Sequence, residues 1–178
     1  MIRKIITYPD PILRKKAKPV TEFDQELQEL VDDMTDTMFD APGAGLAANQ
    51  IGVSKQVCLI NVSEKEDDAD RKVLALINPV ISEGEGSETD VEGCLSVIDY
   101  SAKVKRFKKI KVTAQNLKGE TVEFDAEDFF ARVIQHETDH LEGKLFIDHL
   151  SSLKRTLYKK KLKKILREKE TQNSSSNS

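Results

Sequence analysis

The sequence predicts an α+β domain, and three observations carry that prediction. Apolar residues recur at helical spacing in separate segments, and short β-branched runs bounded by Gly, Pro and Asn lie between them. Strand-like and helix-like segments come in blocks, the ordering expected of α+β. The length, 178 residues, gives one core and is too short for two domains. Residues 1–170 are therefore expected to form a single domain, followed by a polar, disordered tail over 171–178 (TQNSSSNS, from Thr171).

Each element has its own signal. Residues 24–40 set Leu27, Leu30, Val31, Met34 and Met38 on one helical face. Asp24 is a suitable N-cap there, and Ala41-Pro42-Gly43 a stop. GAGLAANQIG (43–52) is too rich in Gly and Ala for a regular strand interior. QVCLINV (56–62) and VLALINPVI (73–81) read as strands, separated by the charged loop SEKEDDADR (63–71). SEGEGSETDVEGC (82–94) reads as a turn-rich connection. VKRFKKIKVTAQNL and ETVEFDAED read as a hairpin around Lys118-Gly119. A helix is expected from about Glu127 to Glu142, with Gly143 at its C-terminal cap. A last, basic helix is expected over 151–168. There Leu153, Leu157, Leu162 and Ile165 would face the domain, and the lysines between Lys154 and Lys164 would crowd the other sides. The sequence has no internal repeat.

Composition excludes little and still narrows the setting. The net charge of −3 is too small to imply a nucleic acid partner. No stretch approaches the roughly 20 apolar residues of a membrane span, so neither DNA nor a membrane is an expected partner. MIRKIITYPDPILRKKAKPV lacks the uninterrupted apolar run of a secretion signal. Cys58 lies in an apolar run and reads as a buried small hydrophobe, whereas Cys94 lies in a turn-like EGCLS. Without an export signal a disulfide between them is not expected, and the cytoplasm is the expected compartment.

The chemistry concentrates in QHETDHLEG (135–143), which holds two of the three histidines. Residues i and i+4 of a helix share a face, so His136 and His140 can turn two imidazoles to one metal ion. Glu137, rotated about 100° around the helix, stands beside the ion as a general base rather than a ligand. A solvated helix face is the plainer reading of the same residues. A catalytic site of this kind needs a third protein ligand and one open position. His149 lies downstream, without the Gly-containing spacing of the zinc proteases that use a third histidine, and reads as structural. Cys94, exposed beside Gly93, offers a thiolate that suits a borderline metal.

Three segments resemble the signature motifs of the peptide deformylase family. GAGLAANQ (Gly43–Gln50) is similar to its Gly-rich first motif, EGCLS (Glu92–Ser96) matches its second, and QHETDHL (Gln135–Leu141) matches its third. The YPDPILR opening and the basic last helix fit as well, so the resemblance covers nearly all of the chain except the tail. It implies a peptide-deformylase-like fold, with antiparallel sheets around a central metal-binding HExxH helix and a C-terminal helix. It implies removal of the formyl group from the N-terminal formyl-methionine of nascent polypeptides, releasing formate. Cys94, His136 and His140 would hold one divalent metal. Ferrous iron would be native, and zinc, nickel or cobalt could substitute. Glu137 would be general base and then acid towards a metal-bound water. Gln50 and the Leu95 N–H would stabilise the oxyanion. Gly43, Ala44, Gly45 and Gly93 would border the substrate as an added strand, and Phe129 and Val133 would line the methionine pocket. The basic helix would dock near the ribosomal exit tunnel.

The chain departs from the family's usual pattern at Ile98, where proline is common, at Ala44 and at Ser101, near a customary arginine. These positions bear on the groove and not on the metal. Glu92 and Arg106 resemble a structural ion pair, and Arg132 reads as a solvated charge. A metalloprotease would be distinguished by a downstream third ligand. A purely structural metal module would close all four positions with protein ligands and have no use for Glu137 or Gln50.

Overall fold

The computed structural model describes residues 1–64 and 68–176. Part of the charged loop expected at 63–71 and the last two tail residues lie outside the described residues. Its first helix, α1 (Gln25–Asp40), begins where Asp24 accepts a hydrogen bond from the Leu27 N–H at 3.1 Å. The strands β1 (Gly45–Ala47), β2 (Val57–Asn61), β3 (Val73–Glu85), β6 (Lys109–Gln115) and β7 (Thr121–Glu127) form one antiparallel sheet in the order β1-β2-β3-β6-β7. The strands β4 (Glu88–Cys94) and β5 (Val97–Arg106) form a separate two-stranded sheet. The helix α2 (Asp128–Leu141) carries the HExxH residues, and α3 (Ser152–Ser176) closes the described chain.

The large sheet is covered on both faces, which explains why β2 reads as continuously apolar. Successive side chains point to opposite faces of a strand. Val57 and Leu59 therefore join Leu27, Met34 and Met38 under α1, while Cys58 and Ile60 join Ala131 and Ile134 under α2. A third apolar cluster, including Val97, Val104, Phe146, Leu150, Tyr158 and Leu162, ties the β4–β5 hairpin to α3. The N-terminal segment laces the site elements together. Ile6 donates to the Gln50 carbonyl, Tyr8 to the Ser96 carbonyl and Ala17 to the Leu141 carbonyl, each within 2.8 Å. Past α2, Gly143 has φ +77°, and a Cβ there would stand 2.5 Å from the Arg14 carbonyl oxygen. Glycine is required at that crossing.

Four expectations need correction. The segment 82–94 is mostly strand: β3 continues to Glu85 and β4 takes up the rest. Neither stretch shows an apolar alternation, because much of it is exposed and is held instead by ladders to a lysine-rich partner. Glu85 faces Lys109 and Thr89 faces Lys105, with register shifts in β3 around Asn78-Pro79. Val104–Arg106, assigned to the later hairpin, belong to β5. The chain changes sheets at Phe107 and Lys108. On α3, Leu153 and Leu157 point outward, 69% and 56% exposed, because the larger Tyr158 sets the helix phase and docks with Leu162 in the third cluster. The helix also runs through Ser176 rather than ending near Glu168. Its last turns contain no Gly or Pro to stop it, and the hydroxyls of Ser174, Ser175 and Ser176 bond to carbonyls one turn back.

Candidate active site

The two histidines are set by α2 alone. One turn apart, their rings meet edge to face with centroids 5.0 Å apart and Nε2 atoms 3.3 Å apart. The third candidate ligand arrives from the other sheet. Cys94 ends β4 at a register shift, where Leu95 and Ser96 make the tight turn into β5. That irregularity turns its Sγ to 3.3 Å from His140 Nε2. The three ligand atoms lie within 4.8 Å of one another.

This group fits a metal ion. A cysteine sulfur and two imidazole nitrogens, all good metal ligands, converge on one point, and the buried His140 Nδ1 is left without a hydrogen-bond partner. Beside them the Glu137 carboxylate is 4% exposed, and its Oε2 has no hydrogen-bond partner. Burial pushes the Glu137 pKa up to about 7. A thiolate with two imidazoles suits iron, cobalt, nickel or zinc better than magnesium or calcium.

The histidine orientation comes from a second carboxylate. Glu92 Oε1 accepts from His136 Nδ1 at 2.8 Å and from Arg106 Nη2 at 2.9 Å. Its Oε2 accepts from Arg106 Nε at 2.9 Å and from Arg132 Nη1 at 2.6 Å. Burial disfavours the Glu92 charge, yet Arg106 and His136 outweigh it and hold the carboxyl far below the usual carboxylate range. Burial likewise opposes a charge on His136, but its Cys94 and Glu92 acceptors carry its pKa up to about 10. For His140, burial and then the His136 charge drive the pKa well down, so it stands neutral.

Gln50 is fixed at three points. Its Oε1 accepts from the Ala47 N–H at 3.0 Å. Its Nε2 donates to Ser96 Oγ at 3.0 Å and lies 3.5 Å from Cys94 Sγ. The amide N–H groups are thereby directed at Ser96 Oγ and at Cys94 Sγ, at the floor of the cleft. Gly45 has a steric duty: a Cβ there would sit 2.8 Å from both Cγ and Oε1 of Glu137.

Of the expected site residues, Gly43, Ala44, Gly45, Gln50, Gly93, Cys94, Leu95, Phe129, Val133, His136 and Glu137 all line one cleft of about 460 Å³. His140 lies just beneath it, fully buried. Val133 is buried in the wall, and Phe129 stands at the rim, 67% exposed. Strand β1 is the edge of the large sheet beside this cleft. A larger cleft, about 720 Å³, lies along another side of α2, with Phe107, Asp139 and His149 among its lining residues. It holds none of the ligand atoms.

The chain matches the family model for polypeptide deformylase over residues 2–156. The chain belongs to the polypeptide deformylase family. The peptide deformylase of Desulfotalea psychrophila is 53% identical over 92% of this chain and 96% of its own length. That of Acidobacterium capsulatum is 51% identical over 94% and 97%. The crystal structure of the Legionella pneumophila deformylase superposes with a TM-score of 0.86 at 44% identity, covering 95% of this chain and 98% of that one. The activity is that of the deformylase family, a metal-dependent hydrolysis that removes the formyl group from nascent polypeptides. The fold expected from the sequence is the deformylase α+β fold.

One residue departs from the sequence expectation. Arg132 is not solvated but 5% exposed. Besides Glu92, its guanidinium donates to the carbonyls of Val104 at 2.8 Å and Glu88 at 2.7 Å. The available signal was its position one turn before His136 on the buried side of the helix, opposite an acid in the EGCLS motif. His149 is structural in its contacts, with Nε2 2.9 Å from Asp139 Oδ2 and 3.2 Å from Arg106 Nη1. Both cysteines are free thiols.

The Gly45 contact gives a test of Glu137 positioning. Gly45→Ala is expected to lower kcat roughly 10- to 100-fold by displacing the carboxylate. Bound metal per chain should stay unchanged, because Gly45 touches no ligand. Turnover assays beside metal analysis check this, and parent-like kcat would show that Glu137 needs no such clearance.

Proposed function

We propose that Glu137 is the general base and then the general acid of this hydrolysis, and that Cys94, His136 and His140 hold one divalent metal. The observation that carries the reading is the unpartnered, buried Glu137 oxygen beside a converging thiolate and two imidazoles at the floor of an open cleft. A structural metal module would have no use for that carboxylate. A metalloprotease would call for a downstream third ligand, and His149 is instead engaged by Asp139 and Arg106.

When bound, the cation supplies Lewis acidity that brings a water pKa down towards 7. Glu137 takes a proton from the attacking water and delivers it to the departing amine nitrogen. A pKa near neutrality suits a group that must do both. The Gln50 N–H that rests on Cys94 Sγ is placed to turn to the formyl oxygen, and with the Leu95 N–H it donates there as negative charge gathers. Gly43 and Ala44, leading into the edge strand β1 at Gly45, with Gly93 opposite, offer backbone groups to an extended peptide as an added strand. Val133 and the rim residue Phe129 supply apolar surface for the methionine side chain.

The reading of the metal is ferrous iron as native, with zinc, nickel or cobalt as substitutes. Ferrous iron beside a thiolate is open to oxidation of both metal and sulfur. Residues 1–170 are taken as one catalytic unit, supported by the packing of Tyr158 and Leu162 against the hairpin. The outer surface of α3, rich in exposed lysines, suits docking on ribosomal RNA near the exit tunnel. Work on nascent chains would be cytoplasmic. No described helix is long and apolar enough to cross a membrane.

Formate release from formyl-Met-Ala-Ser, using protein loaded anaerobically with ferrous iron, tests the base. The parent is expected to turn over, and Glu137→Ala to retain its metal while losing nearly all activity. Substantial turnover by the metal-loaded variant would remove Glu137 from the role. The iron protein should lose activity in air and the nickel protein should not. Equal lifetimes in air would count against an iron–thiolate site. Ribosome binding should weaken steeply between low and moderate salt, and should vanish when lysines 159–164 are changed to glutamine. Salt-insensitive binding would discard the docking role.

A further inference from the structure

The metal ligands come from two bodies that share no sheet. His136 and His140 belong to α2, whereas Cys94 belongs to the β4–β5 hairpin, which is not hydrogen-bonded to the five-stranded sheet. A ligand set split in this way keeps its geometry only if the two bodies are clasped. Two arginines make clasps in opposite directions. Arg106 reaches from β5 to Asp139 on α2, at 2.6 Å. Arg132 reaches from α2 to the hairpin, gripping the carbonyl of Glu88 on β4, the carbonyl of Val104 on β5 and the Glu92 carboxylate. The two meet on Glu92, which also orients His136.

We propose that Arg132 is a positioning residue for the metal site, clasping the hairpin that carries Cys94 to the helix that carries His136 and His140. This inference rests on the ligand set given under the proposed function. Arg132 lies along the cleft wall next to Val133 and His136, and its guanidinium is spent on three acceptors of the protein itself. It holds both strands of the hairpin at once, which a single ion pair cannot do. Its planar fork is what permits this, so lysine is a poor replacement. Without it, the hairpin loses its grip at Glu88 and Val104 and keeps the Arg106–Asp139 and His136–Glu92 contacts, so Cys94 is held less firmly against the histidines.

The charge and the clasp make opposite predictions. Arg132 is a cation near a cation site. If only its charge mattered, removing it would slow metal release. If it acts as a clasp, removal speeds release, and partners of this kind typically change metal affinity by about 10- to 100-fold.

The test uses zinc-loaded protein and follows zinc release to a competing chelator, for the parent, Arg132→Met and Arg132→Lys. Arg132→Met keeps an apolar stem in the cleft wall, and Arg132→Lys keeps the charge but cannot span three acceptors. Release is expected to be about 10- to 100-fold faster in both, with KM for formyl-Met-Ala-Ser raised as the cleft wall moves. Should Arg132→Met fail to fold, Arg132→Lys alone decides. Parent-like or slower release from the folded variant would overturn the proposal. Zinc content near zero in a parallel Cys94→Ser control supports the ligand set itself. Full, tightly held zinc in that control, with fast release in the arginine variants, would sink the ligand assignment and the proposal together.

Discussion

A single buried carboxylate sets the terms for the rest of this structure. Glu92 is surrounded by four donor contacts from two arginines and a histidine. A buried charge is tolerated only when it is paired and its lone pairs are filled, and removing one partner of such a group is strongly destabilising. Here the pairing does more than offset desolvation. It joins β4 to β5 through Arg106 and to α2 through Arg132, and it selects the ring orientation of His136. With Nδ1 turned to Glu92, Nε2 faces His140 and Cys94. A ligating histidine whose other nitrogen is held by a carboxylate is a better donor in a fixed pose.

Glu137 is the counterpart. It is as buried as Glu92, but it has neither arginine nor saturated oxygens. Burial therefore acts with little opposition, and its pKa rises to about 7 while that of Glu92 is held far below the usual range. Two carboxylates on either side of the same histidine thus have opposite fates. One stays ionised as a brace, and the other sits near neutrality, where a group can accept and return a proton. Gly45 makes room for the second by having no side chain.

Much of this was legible in the sequence, for physical reasons that can be named. The i, i+4 histidines announce a shared helix face, and the Gly93-Cys94 turn announces an exposed sulfur. The resemblance of three motifs supplied Gln50 and Leu95, which no periodicity could. What stayed hidden depends on long-range pairing. The acidic stretch 82–94 forms strands because the lysine-rich segment 103–111 lies opposite, and neither half shows an apolar alternation by itself. The phase of α3 follows from Tyr158 packing against Tyr100 and Tyr8, with ring centroids 4.6 Å and 6.4 Å away, so the leucines at 153 and 157 were not a guide to it. Arg132 reads as a surface charge until its three acceptors, on two strands of another sheet, are brought to it.

The most direct test of the brace is the protonation pattern of the His136 ring in zinc-loaded protein with nitrogen-15-labelled histidines. His136 is expected to carry its proton on Nδ1, as a downfield, slowly exchanging N–H bonded to Glu92, and its Nε2 to show the shift of a metal-coordinated nitrogen. A proton on Nε2, or a metal-shifted Nδ1, would contradict it, because Glu92 would then not be what turns His136 toward Cys94 and His140.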